Sequence, residues 1–526
     1  MYNNQPAVIV AFLEQDNLGV GYLASMLMHK QQPVKIIDFR SGKKHIHNSL
    51  LSCQPKIVGF SIIFQYHIYA FKELIDYLRE QGITCHFTAG GHYPSLRYQE
   101  TFDIIDQLDS IVLFEGEHTF SELVKTVNTN KDWKQIQGIA YRENNTAKRT
   151  DLRPLEADLD TFPPPARQPL KEYALSKKYA TLLAGRGCYY NCSFCSIRKF
   201  YSKPPGPVKR LRRPEMVVRE MELLHQQRDC SVFMFQDDDF PVTADKGSWI
   251  SSFCSLLHEK ELSDEIVWKI NCRADEVSYT SFKAMKDAGL FLVYLGIESG
   301  TEDGLRLMNK RLTPTDNLNA IETLKKLGIS YDYGFMLFEP SSTLDTVNDN
   351  LDFLETICSD GSSPITFCKM LPYAETRIEK QLQEQGRLKG DVGFLDYDFL
   401  DSGLNRLCPF LIECFRPWIS SHNGLLNLAR WARYNILIAD KFHADDIDTA
   451  QWGQQVNNLV AESNAYFIDT AKRATRSIDR NIDREDENRQ LAAMKHDVEK
   501  HHDAWQEEFL DLMDIMQNRK EPELTI

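Results

Sequence analysis

Four features are missing from this chain of 526 residues. No apolar run reaches the ~20 residues that a membrane-spanning helix needs. No basic stripe stands out against a net charge of −14 and a pI near 5.5, which argues against nucleic acid as a direct partner. The N-terminal MYNNQPAVIVAFLEQD has no basic region followed by a long apolar stretch. It reads as a first strand, not a signal peptide. Finally, only one close group of cysteines exists. Cys230, Cys254, Cys272 and Cys368 lie scattered, within apolar runs. Such thiols fit a reduced state and a cytoplasmic location.

The one close group is in GRGCYYNCSFCSIRKFY, residues 185–201. Cys188, Cys192 and Cys195 are separated by three residues, then two. A disulfide needs an even count and an oxidising compartment. A structural zinc site wants four ligands, typically as two close pairs. An iron–sulfur cluster held by three thiolates leaves one iron open, as a catalyst requires. The residues around the triplet have to decide among these.

The length allows about three or four domains. Residues 1–130 alternate apolar strands (PAVIVAFL, VKIIDF, KIVGFSIIF, CHFTAGG) with amphipathic helices. That pattern predicts an α/β, doubly wound, Rossmann-like sheet with both faces covered. Ligands of such sheets bind at the carboxyl ends of the strands. Ser61, Gly90 and Gly91 fall there, and glycine lets a ligand approach the backbone. Residues 131–177 read as a hairpin and a proline-rich linker, DLDTFPPPARQPL. Over residues 178–388, six strand–helix units predict a partial (β/α)6 barrel. Its functional residues belong on loops at the carboxyl ends of the strands, where the triplet, QDDD and GIESG all fall. Residues 389–526 read as a mostly helical, highly charged C-terminal domain without clean heptads.

The motif CxxxCxxC after a first barrel strand, with Phe194 before the last cysteine, resembles the radical S-adenosylmethionine enzymes. The resemblance covers about residues 6–385. VGFSII, AGGHYPS and FEGEHTFSEL are similar to strand-end segments of the cobalamin-binding domain that precedes the barrel in one large class of these enzymes. The linker and LPYAETRIEKQLQEQG are similar as well. The resemblance implies that Cys188, Cys192 and Cys195 hold three irons of a 4Fe–4S cluster. S-adenosylmethionine then chelates the fourth iron, and one electron cleaves it to methionine and a 5′-deoxyadenosyl radical.

The same resemblance implies roles for other residues. Asp237 and Asp238 would meet the methionine amino group, and Arg273 its carboxylate or the substrate. Glu298 and Ser299 would hold the ribose hydroxyls, and Met336, with Phe338, would line the adenine. Leu18, Gly19, Ser61, Gly90 and Gly91 would contact cobalamin. An external electron donor of flavodoxin or ferredoxin type is implied too. One departure stands out. Many cobalamin-binding domains offer the cobalt a histidine from a D-x-H-x-x-G loop, whereas the corresponding loop here is EQDNLGVGY. His67 and His92 lie on other strand ends. The expected activity is methylation of an unactivated carbon of a small-molecule or natural-product substrate. Cyclisation or rearrangement with the same cofactors is the alternative, and a radical enzyme with a non-binding N-terminal domain is another.

Overall fold

The computed structural model describes residues 5–518 apart from 14–15, 174, 444–447 and 480–483. Two residues of the EQDNLGVGY loop, and four of the charged C-terminal stretch, thus lie outside the described residues. The chain divides into two compact units. The first takes residues 1–170, 181–220 and 371–397, and the second 171–180, 221–370 and 398–526.

The first unit is built on a seven-stranded sheet. Its strands are β1 (Ala7–Ala11), β2 (Val34–Asp38), β3 (Ile57–Ser61), β4 (His86–Gly90), β5 (Ser110–Val112), β6 (Ile139–Glu143) and β7 (Thr146–Arg149). Their spatial order is β2-β1-β3-β4-β5-β6-β7. β1 to β5 run parallel, and the β6–β7 hairpin extends the sheet antiparallel. Side chains alternate between faces along a strand. Val8 and Val10 therefore join Phe60, Phe71 and Ile75 on one face, while Ala7, Ile9 and Ala11 join Val20, Leu27 and Phe120 on the other. The chain leaves β1 for β2 on one side and returns to β3 on the other. Such a reversal opens a crevice at the carboxyl ends of β1 and β3.

Two short strands, β9 (Gly185–Arg186) and β10 (Arg210–Leu211), pair antiparallel and flank the cysteine segment. The second sheet comprises β8 (Lys178–Leu182), β11 (Cys230–Phe235), β12 (Val267–Arg273), β13 (Leu290–Glu298), β14 (Ser330–Phe338) and β15 (Cys368–Lys369). They follow the order β8-β11-β12-β13-β14-β15, and β11 to β15 pair parallel. This is a half-barrel. On its outer face Trp268 is fully buried, packs on Phe253 of helix Ser248–Glu259, and donates its indole N–H to Ala288 O at 2.7 Å. The returning helices are well capped. Thr313 and Asp316 form a capping box on Pro314–Leu327, which Gly328 closes in the left-handed region.

The C-terminal residues fold into helices Leu404–Ser420, Leu425–Phe442, Thr449–Asp479 and Arg484–Asn518. Ile438, on the second of them, packs with Val232, Val267 and Leu292. Among the described residues no helix is long and apolar enough to cross a membrane.

Candidate functional site

The three cysteines occupy the loop between β9 and helix Ile197–Ser202 in the first unit. All three are half-buried. Gly187 opens the loop at φ +81°, and a Cβ there would lie 1.9 Å from Val208 O, so only glycine fits. Within the loop, Cys195 N donates to Cys192 O at 3.3 Å, and buried Ser193 accepts from Ile378 N at 3.2 Å. Buried charges hold the loop's entry. Arg186 pairs with Glu115 at 3.1 Å and Glu117 at 2.7 Å, and Arg210 pairs with Glu115 at 2.7 Å. Burial opposes the Glu115 charge, but the two guanidiniums outweigh it and keep the carboxyl below its ordinary range. Among the described residues, no group of three or more His, Cys, Asp or Glu side chains gathers around a single metal ion. A cluster whose thiolates each bind a different iron needs no such convergence.

The strand ends of the same unit present small residues and an apolar shelf. Ser61 closes β3 and pairs in register with Gly90, which closes β4, and both are half-buried. Gly91 has φ +112°, and a Cβ on it would sit 2.5 Å from Ile62 O, so its smallness serves the turn itself. Ile63, Phe64 and Tyr66 follow β3 and expose 40%, 43% and 40% of their surface. Phe64 and Tyr66 are stacked at 5.2 Å. Leu18 is buried in a cluster with Tyr22, Met26, Leu159 and Phe162, whereas Gly19 is exposed with room around it. His67 stacks on Phe12 at 4.2 Å. His92 bonds Ser196 Oγ at 2.8 Å, stacks on Phe200 at 4.6 Å, and is pushed by burial down to about 4.

In the second unit, Glu298 ends β13 at φ +66°, a strained conformation for a residue with a side chain. A bulge between Gly296 and Glu298 accompanies it. Lys310 Nζ lies 3.6 Å from Glu298 Oε1 and donates to Gly296 O at 2.9 Å. The space for this pair exists because Gly296 and Gly334 face each other across β13 and β14. A Cβ on Gly296 would fall 2.9 Å from Glu298 Oε1, and one on Gly334 would fall 3.4 Å from Oε2. Burial raises the Glu298 pKa, while Lys310 and Arg273 oppose the rise. Its side chain is 15% exposed.

The other second-unit residues are engaged differently. Ser299 is buried, with its hydroxyl 3.2 Å from both Asn350 Oδ1 and Thr301 Oγ1, so it supports the turn after Glu298. Arg273 grips Asp275 at 3.0 and 3.1 Å and Lys310 O at 2.6 Å. It thereby positions the backbone that carries Lys310. Asp237 is buried and its carbonyl accepts from Asn271 at 3.2 Å, while Asp238 is exposed. Met336 and Phe338 are buried on β14. Lys310, Glu115, Arg186 and Arg210 escaped the sequence reading. A lysine or arginine in a short polar strand or turn carries no local sign that it will be buried.

Residues 182–354 match the family model of the Radical SAM superfamily, and residues 5–124 match that of the B12 binding domain. The chain thus carries a Radical SAM superfamily domain preceded by a B12-binding domain. Its cofactors are therefore S-adenosylmethionine with a 4Fe–4S cluster, and cobalamin. An uncharacterized methyltransferase of Pyrococcus horikoshii, PH0819, is 28% identical over 69% of this chain and 77% of its own length. The anaerobic magnesium-protoporphyrin IX monomethyl ester cyclase of Rubrivivax gelatinosus is 27% identical over 59% of this chain and 55% of its own. Among solved structures, the cobalamin-dependent S-adenosylmethionine radical enzyme OxsB with aqua-cobalamin and S-adenosylmethionine aligns at a TM-score of 0.69, covering 97% of this chain and 79% of that one. At 18% identity this likeness shows the fold alone.

The residues fit these cofactors. Three half-buried thiols on one loop are a suitable donor set for a cluster with one open iron. An apolar shelf beside small strand-end residues suits a large, mostly apolar macrocycle. A largely buried carboxylate at a strand end, able to accept two hydrogen bonds, suits a diol.

Proposed function

We propose that this protein is a cobalamin-dependent radical methyltransferase that adds a methyl group to an unactivated carbon of a small molecule. The observation that carries the reading is the presence on one chain of a three-thiol loop and a B12-binding sheet. The methyltransferase relative supports it. Bound, the cluster with S-adenosylmethionine supplies a carbon radical, and cobalamin supplies a transferable methyl group.

The chain's own residues bind and orient. Cys188, Cys192 and Cys195 hold the cluster through thiolates. Glu298 accepts hydrogen bonds from the ribose hydroxyls, and Lys310, 3.6 Å away, favours its ionised form against burial. The Asp237–Asp238 segment receives the methionine ammonium, and Met336 contributes apolar surface for the adenine. Ser61 and Gly90, with the Ile63–Tyr66 shelf, accommodate cobalamin. Electrons come from a small external carrier of flavodoxin or ferredoxin type.

The test is stoichiometric. Methyl transfer consumes two molecules of S-adenosylmethionine per product. One leaves as S-adenosylhomocysteine, and the other as 5′-deoxyadenosine and methionine. Release of both nucleosides in about equal amounts, with a deuterated methyl group from labelled donor in the product, supports the reading. The cyclase relative favours a second reading, ring formation with the same cofactors. Deoxyadenosine alone, with a product of unchanged carbon count, selects that one.

A further inference from the structure

The inner face of the second sheet is unusually polar. Lys269 and Asn271 on β12, Tyr294 on β13 and Asp332 on β14 share a parity with Arg273, Glu298 and Gly334. The opposite parity holds Trp268, Val293 and Tyr333, all buried. Lys269 Nζ lies 5.6 Å from the centre of the Tyr294 ring, and its ammonium bonds the neutral side-chain oxygen of Asn271. A Cβ on Gly334 would lie 2.9 Å from Tyr294 Oη, so glycine there leaves the phenol its place.

These side chains border open space. Tyr294 exposes 38% of its surface, yet burial, with Glu298 second, pushes its phenol up to about 12. Cys368 is exposed on β15, yet burial pushes its thiol up to about 12. Tyr294 and Cys368 are thus reachable by solvent on this face. Burial also lowers Lys269 to about 8, against the pull of Asp332.

The C-terminal helix Leu425–Phe442 brings further cations to this face. Arg433 lies 3.3 Å from Asp332 and also bonds Tyr331 O at 3.2 Å, and Tyr434 donates to the same carboxylate. Asp332 is thus already satisfied. Arg430 sits 3.6 Å from it, beyond hydrogen-bond length, and Arg430 Nε is buried without a hydrogen-bond partner. Glu298 is matched by Lys310. Among the described residues, two cations, Lys269 and Arg430, therefore lack a well-bonded carboxylate beside the exposed Tyr294 and Cys368, in a chain whose net charge is −14.

We propose that Lys269, Arg430 and Tyr294 form a subsite for an anionic group of the substrate, a carboxylate or a phosphate. The ammonium and guanidinium supply charge, and Tyr294 Oη supplies a neutral donor. The proposal rests on the reading of the half-barrel as the reaction chamber. It also gives helix Leu425–Phe442 a role in substrate selection.

Inorganic phosphate and, separately, acetate are titrated calorimetrically into anaerobic holoenzyme loaded with cluster, cobalamin and S-adenosylmethionine. Saturable binding of one anion is expected, weakened at least tenfold by Lys269→Met and by Arg430→Gln, and retained by Lys269→Arg. Phosphate alone identifies a phosphorylated substrate, and acetate alone a carboxylic acid. Arg430→Gln covers the case in which Lys269→Met fails to fold. No saturable binding of either anion, or equal affinity in wild type and both charge-removing variants, overturns the proposal. Reductive release of 5′-deoxyadenosine by the wild type, without added anion, reports on the radical reading separately. Anion binding without that release leaves the subsite standing and removes the proposed function.

Discussion

Lys310→Met tests the electrostatic design at Glu298. The Lys310 side chain is 3% exposed and that of Glu298 15%, at a separation of 3.6 Å, so solvent screens the pair little. Two unit charges near 4 Å attract by roughly 4 kcal/mol at an effective dielectric of about 20. Removing one partner of a buried pair costs about 3–5 kcal/mol, because the other charge stays buried and unmatched. Methionine keeps most of the volume, so the cavity contribution is small. The sign with pH follows from the direction of the shift. Burial already places the Glu298 carboxyl above its unfolded value. Stability from this group is fully present below the unfolded carboxyl range and is lost as pH rises through the folded value. Lys310→Met raises that folded value further, since Lys310 opposes the rise. The apparent Tm gap between variant and wild type should therefore widen as pH rises above the ordinary carboxyl range. The variant's S-adenosylmethionine affinity should fall further below that of the wild type over the same rise, because its Glu298 stays protonated to higher pH. Thermal melts followed by circular dichroism, with calorimetric titration at each pH, measure both. A gap that is constant with pH, or that closes as pH rises, would refute the electrostatic argument.

Other expectations follow from the same geometry. Anaerobic reconstitution should give about four irons per chain and a brown absorbance near ~400 nm, and alanine at Cys188, Cys192 and Cys195 should abolish both; zinc with activity retained in air would exclude the cluster. Glu298→Gln should weaken S-adenosylmethionine binding by about 1–3 kcal/mol with iron content unchanged, and combining it with Lys310→Met should cost less than the sum of the two. Gly91→Ala should destabilise the first unit by about 1–3 kcal/mol, because it combines φ +112° with a contact 2.5 Å from Ile62 O; an unchanged denaturation midpoint would show that the turn can relax. Electron paramagnetic resonance of the cobalt(II)-loaded protein should show no splitting from an axial nitrogen, since His92 is held by Ser196 and Phe200. A nitrogen splitting lost in His92→Ala would overturn that assignment.

What could be read from the sequence divides along a physical line. Strand and helix order, the sheet with both faces buried and the half-barrel follow from periodicity, which is local. The cysteine loop was legible because its spacing is local too. Non-local charge pairing was not legible. Lys310 reaches Glu298 across a turn, and Arg433 reaches Asp332 from a segment 101 residues away. Periodicity marks Arg430 and Arg433 only as polar positions on an amphipathic helix, and such positions ordinarily form a solvated face. The structure instead turns both inward against Asp332. Arg273 makes the same point from the other side. Its place at a strand end invites a ligand role, yet its bonds to Asp275 and Lys310 O make it a strut for the lysine that faces Glu298. A strand-end position marks a neighbourhood in which function is concentrated. Whether a residue there touches the ligand or supports one that does depends on its partners, and those come from elsewhere in the chain.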